Sequence, residues 1–353
     1  MHPIIHLALR AVEQNSTQPN ATSMLSRQSC RVGTCPAEWQ VIAYRPSIAG
    51  NTVYMVLFLA LLLGQLWLGQ RHRTWAYTST VCLGVGGEAA GYVARVLLHV
   101  DPFSMDYFLV NLVPLTIAPA LVTAGIYLGL SRVVTAIGSE NSRVPPKWYT
   151  YIFVGCDLVA LILQGTGGGM AATARDSQGS RLGVNIMIAG LISQVVTMML
   201  FLGLWADVVR RVRRSKAYGA LRCAQPSLYD ELRATRRFRF FQWSLFLATI
   251  LIFIRCIYRV AELWEGFSGK LANHEVTFMI FEGQLIILAV AAMTVFHPGR
   301  VFGTALWVAA GKGFRSTTAA GKFDEGSENL VDRNEMGRHE TAYQPIERSG
   351  ERV

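Results

Sequence analysis

The chain reads as an all-α integral membrane protein, a seven-transmembrane-helix bundle with its N-terminus outside and its C-terminus in the cytoplasm. Three observations predict this. Of the 353 residues, 52% are hydrophobic and only 16% charged, whereas a soluble domain carries about a quarter charged residues. The shortage is concentrated in stretches of about twenty residues, the length needed to cross a hydrocarbon core of about 30 Å. Lys and Arg gather in alternate loops between those stretches, which fixes an orientation.

Seven spans follow: Ile48–Gly69, Trp75–Leu98, Phe108–Ser131, Trp148–Ala171, Gly183–Ala206, Phe240–Leu263 and Val276–Phe296. Each must be helical, because lipid cannot satisfy an open backbone. The first, third and fifth contain no charged residue. Trp75, Trp148, Trp205 and Trp264 fall at predicted span ends, where an aromatic belt would sit. Pro114 and Pro119 interrupt the third span, as a packed kink or as a flexible point. Gly167, Gly168 and Gly169 near the end of the fourth allow a neighbouring helix to come close.

The loop of residues 70–74 carries Arg71 and Arg73, and that of residues 132–147 carries Arg132, Arg143 and Lys147. The loop of residues 207–239 is the most basic, running from Arg210 and Arg211 to Arg237 and Arg239. The alternate loops hold only Arg175, Arg181 and Lys270. The basic set belongs in the cytoplasm and outweighs Arg10, Arg27, Arg31 and Arg45 in the N-terminal tail. The sequons at Asn15 and Asn20 agree, and so does a local disulfide between Cys30 and Cys35, plausible in an oxidising compartment. Met1 to Gln18 lacks an apolar core for a cleavable signal, so the first span is expected to direct insertion. Residues 1–47 are therefore read as an outside tail, 48–297 as the membrane domain and 298–353 as a cytoplasmic tail. In that tail Arg300–Arg315 is expected along the membrane surface and Ser316–Val353 disordered.

Several function classes drop out. The net charge of +10 is explained by the cytoplasmic loops, without nucleic acid as a partner. His99 and His274 fall on one side and His72 and His297 on the other, which leaves no three-His metal site and no basis for a membrane metalloenzyme. Gly311-Lys312 and Gly321-Lys322 lack the rest of a phosphate-binding loop, so direct ATP-driven pumping is not expected. No cofactor and no enzymatic activity is predicted. A seven-helix receptor or lipid sensor, signalling through residues 207–239, is the alternative. Against it, the loops 99–107 and 172–182 have no Cys for an outer disulfide, and the Asp-Arg-Tyr and Asn-Pro-x-x-Tyr signatures are missing.

Ionisable residues inside spans are costly, so each needs a partner or a task. In the second span, Glu88 and Arg95 share a face but lie roughly 10 Å apart along the axis, too far to pair. In the sixth, Arg259 and Glu262 can pair at i,i+3, which leaves Arg255 seeking an acid from Glu88, Glu282 or, deeper, Asp157. Asn51, Tyr92, Gln164, Asn185, Gln194 and Tyr258 are expected to line the same polar space, with Asn51, Gln164 and Asn185 in the outer half of the membrane and Gln194 nearer the middle. The set is either a lock of interhelical ion pairs or a headgroup site in which surplus acid holds a cation or a proton.

The order of these marks resembles the fungal lipid-translocating exporter family, named for aminocholesterol resistance and including the sphingoid long-chain-base exporter. The resemblance runs from about Tyr44 to Arg300. It rests on Tyr44-Arg45-Pro46-Ser47 with Asn51, Arg73-Thr74-Trp75, Glu88-x-x-Gly91-Tyr92-x-x-Arg95, and Ala118-Pro119-Ala120 with Tyr127. It continues through Asp157 and Gln164, Asn185–Gly190 with Gln194, Arg255-x-x-Tyr258-Arg259-x-x-Glu262, His274-Glu275 and His297-Pro298-Gly299-Arg300. Gln65 stands where many relatives carry His, and Glu282 where Asp is common. The resemblance implies a multi-pass protein, expected in the plasma membrane, that moves amphipathic lipids and confers resistance to toxic ones. Its expected partners are membrane lipids and an amphipathic substrate, with Glu88, Arg95, Asp157, Arg255, Arg259, Glu262 and Glu282 at the headgroup.

Overall fold

A computed structural model of the chain describes residues 44–138, 145–174, 176–217, 226–264, 269 and 274–312. Asn15, Asn20, Cys30, Cys35 and the segment from Ser316 onward lie outside these residues. Two units are distinguished. Met1–Trp307 holds the bundle, and the described part of Val308–Val353 is the helical end of its first residues.

Every regular element among the described residues is helical, and seven helices are long and apolar enough to cross a membrane. The first five spans are α1 (Ile48–His72), α2 (Trp75–Val100), α3 (Met105–Ile137), α4 (Pro146–Thr173) and α5 (Ser177–Ala217). A short α6 (Pro226–Ala234) precedes the sixth, α7 (Arg236–Trp264). The seventh is composite: α8 (Glu275–Phe278), a π-helical stretch Met279–Gln284, and α9 (Leu285–Val295). Finally α10 runs from Pro298 to Lys312. The protein is a multi-pass membrane protein.

Local chemistry sets the ends. Ser47 caps α1 by accepting from the Gly50 N–H at 3.4 Å, and Arg73 stops it in the left-handed region at φ 52°. Only Arg73 and Thr74 separate α1 from α2, so the two must run antiparallel. They close tightly, because a Cβ on Gly69 would collide with the Thr78 side chain. Ser104 caps α3 through the Tyr107 N–H, with Asp106 favourably placed in the first turn.

The helices α3 and α5 outrun the expected spans of 108–131 and 183–206. A hydropathy limit marks the end of hydrocarbon, but the helix continues into the polar region with Asp106 at one end of α3 and Arg210–Arg214 at the far end of α5. Trp205 is a second correction. Instead of joining a belt it is buried 5% exposed, with Phe201 at 5.9 Å and Phe246 at 5.7 Å, because α5 carries it inward against α7. Trp75, Trp148 and Trp264 do point outward.

The spans α2 and α3 are the most buried, while α1 and α4 present most of their surface outward. Outward-facing Leu63, Leu83, Leu158, Leu200 and Trp243 form the apolar exterior that lipid would cover. Inside, Tyr127, Phe153, Phe201 and Trp205 form an aromatic column between α3, α4 and α5. Close packing of α4 on α5 depends on Gly167, where a Cβ would lie 2.5 Å from the Met187 nitrogen. Gly169 has open space instead. Just past residue 297, Phe302 and Trp307 of α10 are buried, since their rings pack on Phe238, Phe241 and Tyr77.

Candidate functional site

The site is built where α2, α3, α7 and the π-helical stretch meet. Arg255 of α7 is buried, and its Nη2 donates to Glu282 Oε1 at 2.5 Å and to the Leu115 main-chain oxygen at 2.7 Å. That oxygen is available because Pro119, four residues on, has no N–H to occupy it. The two prolines of α3 therefore do more than bend the helix. Pro119 supplies an acceptor.

Glu282 sits within the π-helical turn, whose extra residue per turn is frequent at functional positions. Its Oε1 also lies 3.8 Å from Arg259 Nε. Arg259 in turn donates to Glu262 at 2.7 Å, the expected i,i+3 pair. Glu88 of α2 lies 3.8 Å from Arg255 Nη2. Both of its carboxylate oxygens are buried without a hydrogen-bond partner. Three carboxylates (Glu88, Glu262, Glu282) thus face two guanidinia (Arg255, Arg259). The sign of the imbalance is acidic.

Arg95 lies outside this exchange. Its Nε donates to Asn51 at 3.1 Å, its Nη2 to the Tyr44 hydroxyl at 2.6 Å, and its guanidinium covers the Phe278 ring at 3.9 Å. Neutral groups and an aromatic face hold a buried cation here. The segment before α1 is fastened to the same end of the bundle. Ser47 N–H donates to Glu275 at 2.6 Å, Arg45 to the His99 carbonyl at 3.1 Å, and His99 Nδ1 meets the Pro46 carbonyl at 2.6 Å. Burial raises the Tyr44 phenol above its usual value against the opposing pull of Arg95, with Glu275 and Glu262 pushing the same way as burial.

Tyr92 stacks on Tyr54 and Phe58, with its hydroxyl buried against Gly283 and without a partner. Gly283 is required there, since any Cβ would collide with that hydroxyl. Tyr258 stacks on Phe281 at 5.0 Å, again with an unpartnered hydroxyl.

The expected single space is divided. Glu88, Arg255, Arg259, Glu262 and Glu282 come together, and Arg95 and Asn51 form a second group with Tyr44. Asp157 belongs to neither: it accepts from Tyr127 at 3.0 Å and Thr123 at 3.2 Å, between α3 and α4. Gln164 and Gln194 pair with each other at 3.2 Å across α4 and α5. Asn185 is a correction, because it is exposed on α5 rather than buried with the acids. A short polar side chain near a helix end can face the interfacial region at little cost, so its presence in a span did not place it inside. The residues that sequence reasoning left off the site are Tyr44, Glu275, Phe278 and the Leu115 carbonyl. Tyr44 and Glu275 were visible in the motifs Tyr44–Ser47 and His274-Glu275; the carbonyl had only Pro119 as a signal. Among the described residues no group of three or more His, Cys, Asp and Glu could hold a metal ion.

Residues 81–305 match the model of the family described as RTA1 like protein. The chain is 32% identical over 279 residues to the sphingoid long-chain base transporter RSB1 of Saccharomyces cerevisiae, covering 73% of each. It is 31% identical over 217 residues to protein RTM1 of the same organism, covering 61% of this chain and 64% of that one. With its protoporphyrin uptake protein 1 it shares 28% identity over 217 residues, 61% of this chain and 66% of the relative. No solved structure matches. On the extent of the family match and of the first of these likenesses, the chain is a member of the RTA1-like protein family.

Proposed function

We propose that this protein is a translocase of amphipathic lipids with a cationic headgroup, a sphingoid long-chain base or a close analogue, and that it protects the cell against toxic lipids of that type. The observation that carries the reading is Glu88, fully buried with neither carboxylate oxygen hydrogen-bonded, beside two arginines already engaged by Glu282 and Glu262. A buried carboxylate without hydrogen bonds is costly unless something else satisfies it. A protonated amine supplies both charge and donors. The yeast relative, a sphingoid long-chain base transporter, is named for a lipid with such a headgroup.

In this reading the amine meets Glu88, with Arg255, Arg259, Glu262, Glu282, Tyr92 and Tyr258 forming its surroundings. Arg95 and Asn51 order the entrance at the end of the bundle where α1 begins, and the tail lies along apolar helix faces. That end faces outside and the basic loops face the cytoplasm, as charge distribution favours. The membrane is the plasma membrane, and the role is transport rather than enzymatic.

The test is transport by the purified full chain in phosphatidylcholine vesicles loaded with a fluorescent long-chain base. Protein-dependent movement of the base, with little movement of its uncharged N-acetylated analogue, is the expected result. Equal movement of both, or none of either, overturns the headgroup assignment.

A further inference from the structure

A second site lies at the other end of the bundle. Asn51 and His72 are at opposite ends of α1, about 30 Å apart at 1.5 Å per residue. Beside His72 the ends of α1, α7 and α9 leave a cavity of about 430 Å³, lined by His72, Arg237, Val295, Phe296, Arg300 and Val301. That volume is in the range of small-molecule sites. The lining divides by chemistry. Arg237 and Arg300 are exposed guanidinia, while Val295, Phe296 and Val301 form an apolar wall.

The wall and the imidazole are held in place. Phe296 stacks on Phe240 of α7 at 5.6 Å. His72 packs against Gly299, where any Cβ would collide with its ring, and its main-chain oxygen accepts from Thr304 at 3.3 Å. Arg300 donates to the Val295 oxygen at 3.4 Å, which steers it along the rim. None of the carboxylates of the polar cluster reaches this end, so the cations face an opening without local acid in its lining.

We infer that this cavity binds the headgroup of an anionic phospholipid from the adjacent leaflet, its phosphate between Arg237 and Arg300 and the start of its acyl chain against Phe296 and Val295. The position supports a lipid over a soluble ion, since one membrane-crossing helix, α1, ends and another, α7, begins here. Basic pockets between span ends commonly take anionic lipid in this way. A planar guanidinium pair also suits the oxygens of a phosphate. The inference is separate from the transport reading, because it concerns a different charge sign at a different end.

The test titrates the full chain, purified in a neutral detergent, with dioctanoyl phosphatidic acid, dioctanoyl phosphatidylcholine and inorganic phosphate, following thermal unfolding. Saturable stabilisation by phosphatidic acid alone is expected. In the variant Arg237→Gln/Arg300→Gln, both at exposed positions, affinity should fall roughly thirtyfold, at about fivefold for each basic side chain near an anionic headgroup. Native mass spectrometry of the unaltered chain with the same lipids gives a reading that does not depend on the variant's folding. Equal stabilisation by phosphatidylcholine, equal stabilisation by inorganic phosphate, or undiminished phosphatidic acid binding by the variant would each overturn the assignment.

Discussion

The Arg255 guanidinium donates to the main-chain oxygen of Leu115 at 2.7 Å, and that oxygen is free for it because Pro119 cannot supply the helical N–H. A helix irregularity in α3 and a buried cation in α7 thus answer each other's needs. The same nitrogen reaches Glu282, so α3, α7 and the π-helical turn are joined at one atom.

Pro119→Ala restores a helical donor to Leu115 and makes it compete with Arg255. The helix gains local stability, since Pro in a helix interior costs about 3 kcal/mol relative to Ala, while Arg255 loses an acceptor. We expect unchanged or higher thermal stability together with slower lipid transport, measured side by side on the purified variant. Loss of stability with full transport would show that the carbonyl contact has no functional part.

Arg255→Ala leaves Glu282 and Glu88 buried beside a single remaining guanidinium. Removing one partner of a buried pair costs roughly 3–5 kcal/mol, so the variant should melt well below the parent. Adding Glu282→Gln removes the orphaned charge and should recover part of that loss. A double-mutant cycle on unfolding checks the sign: additive effects would contradict direct coupling.

Gly190 of α5 faces the Ala160 carbonyl, where a Cβ would stand at 2.8 Å, and the Gln164 side chain at the same distance. Gly190→Ala should push α4 from α5, break the Gln164–Gln194 hydrogen bond and lower stability by about 1–3 kcal/mol, as overpacking does. Gly169→Ala, into open space, should leave stability close to the parent's. Thermal unfolding of the two variants makes the comparison.

Burial, reinforced by the charges of His72 and Arg300, pushes the His297 imidazole down from 6.5 to about 3. The Gly299 N–H donates to its Nδ1 at 3.1 Å, which requires that nitrogen to be unprotonated. The unfolded chain takes up a proton near pH 6.5 that the folded chain refuses until about pH 3. Stability from this group is therefore full above about 6.5 and declines as pH falls through that window. His297→Asn keeps an acceptor for Gly299 and should flatten the decline, as read from denaturation midpoints across the range.

The seven spans were legible because lipid demands long uncharged helices, and no tertiary detail can hide that requirement. The Arg259–Glu262 pair was legible too, since i,i+3 geometry is local to one helix. Partner choice between helices was not. Glu88 and Glu282, with Asp157 as a deeper option, were all open to Arg255 on the sequence; in the fold Glu282, within the π-helical turn, takes the hydrogen bond and Glu88 lies 3.8 Å away. Asp157 instead found Tyr127 and Thr123, two hydroxyls whose facing depends on how α3 packs on α4. Asn185 and Trp205 went astray for a common reason: position along a span says little about which way a side chain points around it. The role of the Leu115 oxygen had no side-chain signature at all.

The most direct measurement concerns Glu88, the carboxylate that neither arginine fully satisfies. Glu88→Gln keeps the shape and removes the charge, so transport of a labelled long-chain base should fall to background while the purified protein stays monodisperse and melts near the parent temperature. Glu88→Asp, which keeps the charge on a shorter arm, should retain partial transport. Transport by Glu88→Gln at the parental rate would mean that no cationic headgroup is held there, and the account of this site would be wrong.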